Sequence, residues 1–170
     1  LLSRYPLRLQ PLERRDAVAV LNYGLTRVVA EGTASALPGL LGQDALIAGK
    51  TGTTNERRDS WFVGYTRDRL AVSWVGLDDN RPAGVTGSNA AMRIWSRLFR
   101  ELPLAPVVLD MPEGAYWTWV ERDTGLLTGA QCDGAVQMPF VDGSAPQDRS
   151  RCLAREEDNE SFWSKFFDRD

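Results

Sequence analysis

The sequence predicts an α+β fold in which an antiparallel sheet is covered by helices and followed by a small β-rich appendage. Three patterns carry this prediction. Apolar residues recur at helical spacing within residues 11–31 and again within 88–102; between them lie short runs rich in Val, Ile, Trp, Phe and Tyr; after them comes a stretch punctuated by Asp-Gly and Pro turns.

The elements follow in order. Val18, Leu21, Leu25, Val28 and Val29 share helical spacing, Pro11 is tolerated in a first turn, and Gly32 supplies a C-terminal stop. Residues 32–42, rich in Gly, Pro and Ser, read as a connection. Ala45–Gly52, Ser60–Thr66 and Leu70–Gly76 read as strands. The link Thr66-Arg67-Asp68-Arg69 is too short for a parallel crossover, so the second and third strands form a hairpin. A polar loop spans Leu77–Gly87. Ser88 then stands as an N-cap before Ala91, Ile94, Trp95, Leu98, Phe99 and Leu102, the clearest amphipathic pattern in the chain.

Pro103 and Pro106 mark the next boundary. The expected organisation is a main domain over 1–104, a small β-rich extension over 105–152 with strands near Trp117–Val120 and Val136–Val141, and an acidic, aromatic tail over 153–170. Phe162, Trp163, Phe166 and Phe167 place a terminal amphipathic helix in that tail. The aromatics Tyr116, Trp117 and Trp119 are expected to pack as core.

Composition narrows the function. The chain has 170 residues, 43% hydrophobic and 25% charged, as an ordinary globular domain has. A net charge of -3 offers no excess of positive charge to a nucleic-acid backbone, so nucleic acid is not an expected partner. The absence of histidine removes Ser-His-Asp and Cys-His nucleophile systems and the commonest metal ligand; no metal and no cofactor are expected. Lys50 and Lys165 are the only lysines, which draws attention to Lys50 inside a motif. Cys132 and Cys152 lack metal-site spacing, and the pair reads equally as a disulfide or as two reduced thiols.

That motif is Ala48-Gly49-Lys50-Thr51-Gly52-Thr53-Thr54-Asn55. Read as a phosphate loop it fails on spacing, because Asp44 stands where the first glycine belongs and no helix pattern follows Lys50. Read as a Lys-Thr-Gly box it makes physical sense. An edge strand offers backbone N–H and C=O groups to an extended peptide, and Gly52 presents no side chain to that approach. Lys50, Thr51 and Thr53 bring one positive charge and two hydroxyl donors, suited to a terminal carboxylate.

Lys-Thr-Gly alone arises by chance in roughly one chain in 25 of this length. Its surroundings are more specific: Gly32-Thr33-Ala34 before it, Arg58-Asp59-Ser60-Trp61-Phe62-Val63-Gly64-Tyr65 and Ser73-Trp74-Val75-Gly76-Leu77-Asp78 after it, then Gly87-Ser88-Asn89-Ala90-Ala91 with Ile94-Trp95. The combination closely resembles the bifunctional (class A) penicillin-binding proteins over residues 10–102. Cys132, Pro139-Phe140-Val141-Asp142-Gly143 and Pro146 before Cys152 resemble the C-terminal extension of the b-type members in Gram-negative bacteria.

The resemblance implies the C-terminal part of a penicillin-binding/β-lactamase-like transpeptidase fold. In that family a serine attacks the D-Ala-D-Ala peptide of a peptidoglycan stem, and an amine resolves the acyl-enzyme into a crosslink. The same serine takes β-lactam antibiotics. Carried over residue by residue, Lys50 sits beside the nucleophile's proton network and draws in the carboxylate. Thr51 and Thr53 bind that carboxylate, the Thr53 N–H is an oxyanion donor, Gly52 permits close approach, and Thr54 shapes the turn. The resemblance further implies the periplasmic side of the inner membrane, with an upstream anchor, and an oxidising compartment that favours a Cys132–Cys152 disulfide. It also implies cell-wall synthesis or division proteins as partners and a parent that is a peptidoglycan glycosyltransferase as well.

One departure matters. Ile47 and Phe162 stand three residues before the two lysines, so no Ser-x-x-Lys exists, and no Ser-x-Asn exists either. The nucleophile is therefore expected on an upstream half of a longer protein, of which this chain is a fragment. The alternatives are a β-lactamase or D,D-carboxypeptidase of the same fold, which deacylates with water, or a non-catalytic module binding cell-wall peptides or a partner.

Overall fold

The computed structural model describes residues 10–11, 13–42 and 45–155. The expected terminal helix with Phe162, Trp163, Phe166 and Phe167 lies outside the described residues. The described residues form two compact units, one within Val20–Asp110, the other comprising those through Ala19 and those from Met111 to Arg155. The segment after Pro103 stays with the larger unit, where Arg67 N–H donates to Ala105 O and Val107 N–H to Leu46 O.

In the larger unit, α1 (Arg15–Ala30, from Val20 onward) leads to α2 (Leu37–Leu41). The sheet follows as β1 (Ala48–Thr53), β2 (Ser60–Tyr65) and β3 (Leu70–Val75), then α3 (Ala91–Arg100). The sheet order is β1-β2-β3, antiparallel throughout. The hairpin between β2 and β3 closes with Thr66 N–H donating to Arg69 O at 2.8 Å. The connection at 32–42 contains α2, which sequence reading missed. Five residues are too few to show a period, but Pro38 near its start and Gly42 in left-handed conformation (φ 66°) at its end were local signals.

One sheet face carries the core. Phe62, Trp95, Phe99, Leu37, Leu41, Ile47 and Met92 are buried together, each large side chain contributing about 1.5–3 kcal/mol. Trp95 stacks on Phe99 at 3.7 Å and meets the edge of Phe62 at 5.4 Å. The indole needs a slot: a Cβ on Gly64 would lie 2.7 Å from Phe62 and 2.8 Å from Trp95, and one on its cross-strand partner Gly49 would lie 2.8 Å from Phe62.

The α3 pattern differs from expectation. Its buried stripe is Ala91, Met92, Trp95, Ser96 and Phe99, whereas Ile94 and Leu98 are about half exposed. Ser96 can enter that stripe because its hydroxyl donates to Arg93 O at 2.9 Å. Leu21 on α1 is likewise exposed. Ser88 is not the N-cap; that position is Ala90, with no side-chain cap of its own. Instead Ala91 N–H donates to the buried Ser60 Oγ of β2 at 3.1 Å, and Ser60 donates to Thr86 O at 2.7 Å.

The opposite sheet face is apolar and exposed. Trp61, Val63, Leu70, Val72 and Trp74 occupy it, with exposures from 36% for Val63 to 65% for Leu70.

The smaller unit holds an antiparallel pair, β4 (Ala115–Glu121) with β5 (Ala135–Val141). Tyr116 and Trp117 are not core as expected but 38% exposed, packing across the ladder opposite Phe140 and Pro139, while Val120 is buried. Cys132 and Cys152 form a disulfide with Cα atoms 6.0 Å apart. Thr128 and Ser150 share a buried hydroxyl pair at 2.8 Å. The Arg14 guanidinium donates to both Asp16 oxygens, and that contact first, then the Ala17 N–H, lowers the carboxyl pKa to about 2.

Candidate functional site

Among the described residues β1 is an edge strand, and its ladder determines what that edge offers. Thr54 N–H donates to Asp59 O at 3.1 Å, extending the β1–β2 register one step beyond Thr53↔Ser60. In an antiparallel ladder alternate residues turn both backbone groups toward the partner. Residues 50, 52 and 54 thus face β2, and Thr51 and Thr53 present N–H and C=O to the open edge.

The side chains divide by face. Lys50 pairs with Val63 and lies on the exposed apolar face, whereas Thr51 and Thr53 pair with Phe62 and Ser60 on the helix-covered face. The Lys50 ammonium folds back over the edge to donate to Thr51 O at 2.7 Å. Charge and both threonines therefore converge on one short length of strand edge. Thr53 Oγ1 accepts the Gly87 N–H at 3.0 Å, which leaves the hydroxyl proton to donate outward.

Gly52 has two neighbours. A Cβ there would lie 3.1 Å from Trp61 Cβ, so glycine also eases the cross-strand pair. On the other face the chain's own Gly87 closes in: a Cβ on Gly87 would lie 2.6 Å from Trp61 O and 2.7 Å from Gly52 O. Loop 86–90 thus backs the motif with glycine against glycine.

Thr54 sits where the strand ends. Its hydroxyl donates to Asp59 Oδ2 at 3.0 Å and accepts Asp59 N–H at 2.8 Å, and Asp59 Oδ1 accepts Trp74 Nε1–H at 2.9 Å. Inside this turn Glu56 and Arg57 are both left-handed (φ 59° and 55°), a costly pairing for residues with a Cβ. Ala83 and Gly84 N–H groups hold Arg57 O, and Arg58 donates to Asn80 O, tying the polar loop to the turn.

Gly87, Asp59 and Thr33 are the neighbours to which sequence reading gave no role. Each belongs to a stretch that carries the family resemblance, but their partners 18, 34 and 15 residues away, Thr51 for Thr33, Thr53 for Gly87 and Trp74 for Asp59, leave no local pattern. Neither the hollow of about 330 Å³ at the Tyr65–Leu70 hairpin nor that of about 260 Å³ between Thr26 and Leu46 is lined by residues of the motif. The motif lies on an open strand edge, the kind of surface to which an extended peptide can add. Among the described residues no three His, Cys, Asp or Glu side chains converge to hold a metal, and no helix is long and apolar enough to cross a membrane.

Comparison with known proteins shows what the chain as a whole is similar to. No family model matches the chain. Penicillin-binding protein 1B of Vibrio cholerae is 34% identical over 128 residues, 75% of this chain and 16% of that protein. Its Escherichia coli namesake is 33% identical over 123 residues, 72% of this chain and 14% of that protein. Among solved structures, penicillin-binding protein 1A from Haemophilus influenzae matches with a TM-score of 0.65 at 23% identity, over 79% of this chain and 21% of that one, and shares the fold. The chain spans about one sixth of the V. cholerae relative's length and about one seventh of the E. coli one's. With its mixed helical and antiparallel architecture and its relatives among the 1A and 1B proteins of Gram-negative bacteria, the chain belongs to the class A penicillin-binding protein family.

Proposed function

We propose that this chain supplies the substrate-binding strand of a serine D,D-transpeptidase that crosslinks peptidoglycan and is acylated by β-lactams. The observation that carries the reading is the convergence at the β1 edge of the Lys50 ammonium, the Thr51 and Thr53 hydroxyls and the outward Thr53 N–H. A stem peptide adds along that edge as an extra strand. Its terminal carboxylate, an acceptor only, takes donors from Thr51 and Thr53 in the field of Lys50. When the serine Oγ attacks the penultimate D-Ala carbonyl, the developing oxyanion takes the Thr53 N–H, a contribution of about 3 kcal/mol by comparison with single-donor deletions. D-Ala then leaves and an acceptor amine displaces the serine.

The serine belongs, in this reading, to a segment upstream in a longer protein, which also carries the anchor and holds the domain on the periplasmic side of the inner membrane. Its docking site is the exposed face of Trp61, Val63, Val72 and Trp74, an apolar area of a kind that soluble surfaces seldom leave uncovered. A glycosyltransferase part and cell-wall synthesis or division partners follow from the same reading.

A labelled penicillin tests it. Offered to this chain alone it leaves the chain unmodified by intact mass; offered to the chain joined to its upstream segment it labels a serine there. Thr53→Val in that longer protein slows acylation at least about tenfold. Labelling of the isolated chain, or acylation unchanged by Thr53→Val, refutes the assignment.

A further inference from the structure

A second threonine stands behind Thr51. The Thr33 hydroxyl, 18 residues earlier, lies 2.6 Å from Thr51 Oγ1. The end of α1 holds it there: Gly32 and Ala34 N–H groups both donate to Val28 O, at 3.1 and 3.2 Å, and Ser35 N–H donates to Gly32 O at 3.0 Å. A Cβ on Gly32 would lie 2.9 Å from Val28 Cα and O, so glycine is required for the turn, and Ala34 is wholly buried. Thr33 is thus fixed between two immobilised neighbours and aimed at β1.

A hydroxyl carries one proton, and either member of the pair can donate when nothing else is bound. A carboxylate changes the count. Because it only accepts, a carboxylate bound by Thr51 takes the Thr51 proton, and the contact with Thr33 persists only if Thr33 is the donor. The order Thr33 O–H to Thr51 Oγ1, Thr51 O–H to carboxylate then satisfies every group, and each bond polarises the next.

Building on the function proposed above, we propose that Thr33 is a positioning residue: its hydroxyl donates to Thr51 Oγ1 and presets the Thr51 O–H to meet a ligand carboxylate at the β1 edge. It touches no reacting atom and acts only through Thr51. Its contribution therefore vanishes when the ligand offers Thr51 no acceptor in place of the carboxylate or when Thr51 has no hydroxyl.

The test uses the longer, serine-bearing protein and two probes, a penicillin and the same penicillin with its carboxylate replaced by hydrogen. Thr33→Val slows acylation by the acid about five- to tenfold, the worth of one hydrogen bond, and leaves acylation by the decarboxylated probe within about twofold. Thr33→Ser restores the acid rate. In a Thr51→Val background, Thr33→Val costs nothing further. Equal losses on the acid and the decarboxylated probe, an additive loss in the Thr51→Val background, or no loss on the acid each overturn the proposal. Should Thr33→Val fail to fold, Thr33→Cys, nearly isosteric with serine and a far weaker donor, gives the same acid-selective loss or overturns the proposal. If Thr51→Val itself leaves the acid and the decarboxylated probe unchanged, carboxylate binding at this edge falls and takes the Thr33 role with it; if Thr51→Val discriminates between them and Thr33→Val does not, only the Thr33 role falls.

Discussion

Gly87→Ala probes the backing of the candidate edge. The added Cβ would sit 2.6 Å from Trp61 O, 2.7 Å from Gly52 O and 2.9 Å from Gly52 N, all backbone atoms of a paired ladder that cannot swing aside. Ordinary contact begins at 3.4 Å, so loop 86–90 must withdraw by about 0.8 Å, the difference between 3.4 and 2.6. The Gly87 N–H to Thr53 Oγ1 bond, 3.0 Å in the native chain, then stretches to the edge of hydrogen-bonding range or past it. Overpacking costs about 1–3 kcal/mol and the lost bond about 1 more, together about 2–4 kcal/mol. For a unit of this size that lowers Tm by about 10 °C or more. Thermal melting by circular dichroism measures the loss, and the Thr53 amide resonance reports the local change. A Tm within about 2 °C of the parent with an unmoved Thr53 resonance would refute the steric reasoning.

Two further predictions concern the smaller unit. Converting Cys132 and Cys152 to serine removes a crosslink across 20 residues and costs about 3 kcal/mol on the chain-entropy account, measured by urea unfolding; the native chain titrates no free thiol after denaturation without reductant. The Asp16 carboxyl titrates by NMR near 2 rather than 3.8, and Arg14→Gln moves it back up. Since its folded pKa is depressed, the stability this pair lends is complete above pH 3.8 and is lost as pH falls through about 2.

Most of the larger unit was legible because its signals are local. β2 and β3 begin at the expected residues and end one short, since each is a β-branched or aromatic run bounded by polar turns. β1 starts at Ala48 rather than Ala45, because apolar residues alone do not say where pairing begins. What escaped was nonlocal. Ile94 and Leu98 fit the helical period as well as Met92 and Ser96 do, and only the seats of Trp95 and Phe99 against Phe62 choose between them. At the candidate site, Lys50 to Thr54 stood out as a motif, but Thr33 and Gly87 act by touching it from 18 and 34 residues away.

The seat of α3 on Ser60 also bears on the order in which the chain assembles. A helix capped by its own side chain can begin as soon as its residues leave the coil, whereas the first N–H of α3 waits for an oxygen 31 residues upstream. The first turn of α3 therefore becomes stable only after β2 has formed and presented Ser60, and a peptide comprising residues 86–102 alone frays at its start. Secondary and tertiary structure are acquired together here, at the price of a long loop closure that slows folding.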